Sequence, residues 1–164
     1  MTRIFIAVFF LLFTSLAAAQ EIDDAAIATR VNFALQNSKA LTGADFMAFS
    51  VNGYVLLAGQ VLSEEQRNTA AAAAAFASRD IRRLINELEV VETLDDSFDA
   101  ADRQILAQIE AVIPAMSPAT IPVIHNGVVF LLGRVTRADG NDVAQQISRM
   151  DGVKAIKISY EYTD

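Results

Sequence analysis

The sequence contains no cysteine. That excludes a disulfide framework, a thiolate metal ligand and a cysteine nucleophile, and it leaves no cysteine to carry a lipid anchor. There is one histidine, His125, so a metal site or an acid–base pair would have to be assembled around a single ring. No GxxxxGK or GxGxxG pattern occurs, which removes the phosphate-cradling loops. Basic residues are scarce: 13 Lys and Arg stand against 20 Asp and Glu, a formal net charge of −7 that argues against nucleic acid as a partner. The uncharged run "IFIAVFFLLF", Ile4 to Phe13, covers 10 residues, where a membrane-spanning helix needs about 20.

That run follows Arg3 and precedes "TSLAAAQ", the pattern of a secretory signal peptide over residues 1–19, with Ala17 and Ala19 as the small residues for cleavage before Gln20. Losing Arg3 leaves 12 basic against 20 acidic side chains, a formal charge of −8. The expected location is the periplasm, reached by export and cleavage. Without a cysteine the protein is not expected to be a lipoprotein, and it would be peripheral to the membrane at most. What remains suffices for one ordinary domain or two small ones of about 70 residues.

A repeat decides for two. "NGYVLLAGQV" at 52–61 returns as "NGVVFLLGRV" at 126–135, at a constant offset of 74. Upstream, Ile27, Val31 and Leu35 match Ile105, Ile109 and Ile113 at an offset of 78. Each trio forms one apolar stripe on a helix, and the difference in offset is absorbed in a loop. In each copy Asn-Gly (Asn52-Gly53, Asn126-Gly127) separates two strand-like runs, the signal for a hairpin whose central residues take positive φ. A second helix is announced by Ser63 with Gln66, a capping box, and by Thr136 with Asp139. In the first copy it contains the alanine run Ala70 to Ala75, and in the second it uses Val143, Ile147 and Met150. Each copy closes on a strand, with Leu84, Asn86, Leu88 and Val90 on one face, or Ile156, Ile158, Tyr160 and Tyr162. The predicted fold class is α/β (α+β): two tandem units over 20–92 and 99–164, joined at 93–98, each a helix-strand-strand-helix-strand unit with a small mixed three-stranded sheet on two helices.

"VNGYVLLAGQVLSEEQRNTAAAAA" with "LINELEV", and "HNGVVFLLGRVTRADGNDVAQQI" with "GVKAIKISY", resemble the BON domain (bacterial OsmY and nodulation). Asp80-Ile81 replaces the Gly-Val common in that family, and the second copy lacks the Asn and Leu of the last strand, so it is the more divergent. The tandem form is similar to periplasmic and outer-membrane-associated double-BON proteins. That no cofactor and no metal are expected follows from the residues; the resemblance implies a non-enzymatic module. It also implies contact with membrane phospholipid headgroups or envelope proteins, with no small-molecule substrate, in support of outer-membrane integrity or osmotic and envelope stress tolerance.

The residues agree in supplying little for catalysis. His125 reads as a strand-end histidine. "DGND" at 139–142 lacks the spacing and distal glutamate of a calcium loop and reads as acids at a helix start. Asp95 and Asp96 read as linker. Gly59 and Gly133 share the face of Val55, Leu57 and Val61, or of Val129, Leu131 and Val135, and so permit close helix approach or mark a bulge. Asn52, Gly53, Gly59, Asn126, Gly127 and Gly133 are structural.

The opposite hairpin faces are assigned Ala48, Ser50, Tyr54, Leu56 and Ala58, and Pro122, Ile124, Val128, Phe130 and Leu132. Either the two units, or two protomers, bury these faces against each other, or a lipid or protein covers them. Arg79, Arg82 and Arg83, with Arg149, Lys154 and Lys157, recur near the junction of second helix and last strand. Helix-end electrostatics account for them, and the resemblance adds a headgroup contact. Three such groups contribute about 3 kcal/mol at an anionic surface, weaker than a millimolar dissociation constant. Binding would then need apolar insertion, for instance by Phe130 and Leu132, and would be salt-sensitive. The candidate contact set is Arg79, Arg82, Arg83, Val128, Phe130, Leu132, Arg134, Lys154 and Lys157. The alternative is a protein-interaction or chaperone-like module for exported or outer-membrane proteins that uses the apolar faces without lipid.

Overall fold

The computed structural model describes residues 22–116 and 119–164; the expected signal peptide lies outside them. The first unit runs α1 (Asp24–Gln36), a 3-10 turn (Lys39–Leu41), β1 (Asp45–Val51), β2 (Tyr54–Val61), α2 (Glu64–Ala77) and β3 (Arg83–Val90). The second repeats it as α3 (Asp99–Met116), β4 (Thr120–His125), β5 (Val128–Val135), α4 (Arg137–Ile147) and β6 (Ala155–Tyr162). Each unit holds one three-stranded sheet in the order β1-β2-β3 or β4-β5-β6. The hairpin pairs are antiparallel and the last strand joins parallel after its helical crossover, so both sheets are mixed as predicted.

Local chemistry sets the helix starts. The Asp23 carboxylate accepts the Ala26 amide at 2.9 Å, Ser63 accepts that of Gln66 at 3.1 Å, and Thr136 that of Asp139 at 3.1 Å. The return arm of the first capping box differs slightly from the expected one: Gln66 Oε1 takes the amide of Leu62, one residue before the cap. α4 ends at Ile147, so Met150 packs on the core from the following turn.

Each unit has its own core. Ile27, Val31 and Leu35 of α1 meet Val55, Leu57 and Val61 of β2, with Ala70 and Ala74 of α2. The small alanines let α2 lie close, as the sequence suggested. Ile105, Ile109, Ile113, Val129, Leu131, Val135, Val143 and Ile147 repeat the arrangement around Tyr160. Gly140 makes room for that ring; a Cβ there would stand 3.0 Å from it.

A third cluster holds the two sheets face to face: Leu56 and Ala58 pack with Val123, Phe130 and Leu132, flanked by Phe49, Val51, Ile85 and Val128. The predicted membership of this face needs correction in β1 and β4. The two-residue turn pairs Val51 with Tyr54 and His125 with Val128, and directly opposed residues share a face. Phe49, which faces Leu56, therefore points between the sheets, while Ala48, opposite Leu57, lies in the helix-facing core. In β4 Val123 replaces the expected Pro122 and Ile124.

Gly59 and Gly133 neither admit a helix nor interrupt the pairing. Their φ values are +130° and +140°. A side chain on Gly59 would run into the Asp45 carbonyl and come within 2.6 Å of the Phe46 Cα, and one on Gly133 would run into the Ala119 carbonyl. The close approach is between neighbouring strands.

Candidate functional site

Val128, Phe130, Leu132, Arg82, Arg134, Lys154 and Lys157 lie at or around the junction of the two sheets, and most of them are engaged there. Phe130 is 3 % exposed and Leu132 is fully buried, with half-buried Val128 in the same cluster. Of the two alternatives for the hairpin faces, burial of the two units against each other is the one found, and it covers these side chains.

The rim of the junction is ionic. Glu161 at the end of β6 receives Arg82 at 3.3 Å and Arg134 at 3.8 Å, and it accepts a hydrogen bond from the Asn52 side chain of the first unit. Lys157 pairs with Glu87 of β3 and stands over the Phe130 ring, 5.6 Å from its centroid. Lys154 donates to Asn126 Oδ1 at 2.6 Å. Arg82 and Arg83 both lie 6.0 Å from the centroid of Tyr54. Arg79 is exposed and enters no ion pair among the described residues. Pairs this exposed contribute at most about 1 kcal/mol each, so the buried hydrocarbon does most of the holding.

The Asn-Gly turns that carry these groups are fixed by a device the sequence did not reveal. Asp24, in the first turn of α1, accepts the amides of Asn52 at 2.5 Å and Gly53 at 2.8 Å, and the Ser50 hydroxyl at 2.6 Å. Asp102 does the same for Asn126 at 2.7 Å and Gly127 at 2.8 Å. Asn52 and Asn126 take φ of 52° and 50°, the left-handed conformation that the turn requires. The turn glycines then accept from the other side: Gly53 O takes the Arg82 amide and Gly127 O the Lys154 amide, both at 2.8 Å. One local signal pointed here, since Asp24 and Asp102 keep the same offset of 78 as the helix stripes.

Two depressions flank the junction. One, of about 360 Å³, is lined by Phe49, Phe98, Asp102, Arg103 and His125. The other, of about 520 Å³, is lined by Glu87, Val90, Val128, Phe130, Lys154 and Lys157. His125 borders both. Its ring meets Phe98 edge-on at 4.9 Å, and its Nε2 is buried without a hydrogen-bond partner. No side chain among the described residues orients that ring as a base would require, and the nearby Asp102 carboxylate is occupied by its turn. Among the described residues no cluster of three or more potential ligands could hold a metal, and no helix is long and apolar enough to cross a membrane. Burial raises the Tyr160 pKa, with the hydrogen bond between its hydroxyl and that of Thr120 opposing and Tyr162 adding to the rise. In the connection between units, the Ser97 amide and hydroxyl lower that of Asp95.

Residues 23–92 and 101–161 each match the BON domain. The chain is 30 % identical over 149 residues to the outer membrane lipoprotein DolP of Haemophilus influenzae, spanning 88 % of this chain and 77 % of that protein. This overturns the expected location: a periplasmic protein that is not a lipoprotein was inferred from the missing cysteine, whereas the relative is by name an outer membrane lipoprotein. Two solved structures of CdsD, a structural protein of the type III secretion system of Chlamydia trachomatis, are also similar. One has a TM-score of 0.35 at 18 % identity, covering 87 % of this chain and 68 % of that one. The other has 0.34 at 19 %, covering 85 % and 63 %.

Proposed function

Because the chain belongs to the BON domain family, with two of its units in tandem, we propose that it is a non-enzymatic protein of the outer-membrane region of the cell envelope that binds anionic phospholipid. The observation that carries the envelope assignment is the similarity, over most of both chains, to an outer membrane lipoprotein. Export through residues 1–19 and a role in outer-membrane integrity or envelope stress tolerance complete the proposal.

The structure bears on how such binding would work. Phe130, Leu132 and Val128 are withdrawn between the sheets, and Arg82, Arg134 and Lys157 are tied to glutamates. Arg79, Arg83 and Lys154 are exposed and enter no ion pair among the described residues, so they can meet phosphate without opening the molecule. The net negative charge of the chain opposes approach to an anionic surface, and cationic contacts alone bind no tighter than about a millimolar dissociation constant.

Co-sedimentation of the processed chain, from Gln20 onward, with phosphatidylglycerol and phosphatidylcholine vesicles at low and moderate salt tests the proposal. Salt-sensitive binding to the phosphatidylglycerol vesicles alone is expected. Absence of binding to both would remove the lipid function and favour a protein partner in the envelope.

A further inference from the structure

Two phenylalanines stand out from the helix layer of the first unit: Phe76 is 90 % exposed and Phe33 is 68 % exposed. Ile27, Val31 and Leu35 turn α1 toward the core, and helical geometry puts Phe33 on the opposite side. Ala70 and Ala74 do the same for α2, and Phe76, six residues after Ala70, likewise faces away.

The two helices pack together in an antiparallel register that their polar contacts fix. Arg30 reaches the Ser78 hydroxyl at 3.4 Å and Asp80 at 3.6 Å, while Gln66 at the start of α2 bonds Ala40 and Thr42 beyond the end of α1. Phe33 lies one turn after Arg30 and Phe76 two residues before Ser78, so the two rings sit at the same height on adjacent helices. Exposed Thr29 and Ala72 lie on the same side. Exposed Met47 lines, with Phe33 and Phe46, an apolar depression of about 510 Å³ beside α1. The charges nearest the two rings in sequence are Arg30, which is paired with Asp80, and Arg79, just past the end of α2.

We propose that Phe33 and Phe76 are the membrane-inserting edge of this protein, entering the headgroup boundary of an anionic bilayer while Arg79, exposed and in no ion pair among the described residues, meets its phosphates. The proposal rests on the phospholipid reading and adds which unit makes the contact. Single rings projecting from a surface of small residues suit a deformable acceptor, since a folded protein would need a socket for each. One free cation also stands beside the edge: Asp80 pairs with Arg30, whereas Arg79, three residues after Phe76, is exposed and enters no ion pair among the described residues. The second unit lacks the pair, because the offset of 78 places Ala111 at the position of Phe33, and alignment of the helix caps places Arg149 at that of Phe76.

Three forms of the processed chain test this on mixed phosphatidylglycerol–phosphatidylcholine vesicles: the parent, Phe33→Ser with Phe76→Ser, and Phe76→Trp. Both positions are exposed, so circular dichroism and the urea midpoint should be unchanged. The double variant is expected to lose about tenfold or more in partitioning. The chain has no tryptophan, so Phe76→Trp supplies a single reporter whose emission should shift to the blue on these vesicles. If the parent binds and the double variant binds equally, the insertion edge lies elsewhere while the phospholipid reading stands. If the parent does not bind, both fall. Self-association of the parent that the double variant abolishes, without any change in vesicle binding, would give the surface to a second copy and overturn the proposal.

Discussion

Asp24 holds the amide of Gly53 at 2.8 Å across 29 positions of sequence, and Asp102 holds that of Gly127 at the same distance. Each carboxylate accepts two backbone amides, charge-assisted bonds that contribute about 1.5–3 kcal/mol apiece. Asp102→Ala should therefore destabilise the protein by about 2–4 kcal/mol, and Asp24→Ala by at least as much, since Ser50 also loses its acceptor. Urea unfolding midpoints check this, and a loss under about 1 kcal/mol would mean that the turns hold without the carboxylates.

Gly59→Ala and Gly133→Ala should each cost about 3 kcal/mol or more, because positive φ and collision with the adjacent strand's backbone act together. Thermal denaturation followed by circular dichroism measures the loss.

Phe130→Ala removes the largest buried side chain of the inter-sheet cluster and should cost about 3–5 kcal/mol. Leu132→Asp puts a charge into the same layer. It should drive the units apart, expanding the radius of gyration in small-angle scattering while each unit keeps its secondary structure.

Glu161→Gln breaks ion pairs to Arg82 and Arg134 but keeps an acceptor for Asn52. The expected loss is about 1 kcal/mol or less, and raising the ionic strength should shrink the difference from the parent.

Tyr160 is held protonated by burial, so its folded pKa lies above the unfolded value. Its contribution is fully present below the unfolded pKa of about 10 and is lost as pH rises through the folded one. Melting temperatures should fall steeply above about pH 10 in the parent and less steeply in Tyr160→Phe. Equal slopes would show that other groups govern the alkaline loss.

Much of the architecture was legible because its signals are local. The stripe Ile27, Val31, Leu35, the Asn-Gly turns and the Ser63 cap each lie within a few residues of chain, and the repeat supplies every one of them twice. The phase of β1 and β4 was misread because a two-residue turn pairs Val51 with Tyr54, an odd position with an even one, so counting alternate residues through the turn moves the strand to the wrong face. The surroundings of the binding candidates were hidden for a different reason. That Phe130 is covered depends on Leu56, 74 positions away, and the pairing of Arg82 with Glu161 is fixed only by the packing of the two units. Periodicity within one element carries no trace of either.

The contact between the sheets has a kinetic meaning as well as an energetic one. β3 ends at Val90 and α3 begins at Asp99, so the two complementary faces are tethered by a short connection. A short flexible tether keeps its ends at an effective concentration in the millimolar range. Leu56 and Phe130 therefore find each other by an intramolecular search whose rate is independent of how much protein is present. A transient separation would be followed by reclosure before either face could meet a stranger, and the molecule can live dilute in a crowded envelope without exposing the face for long.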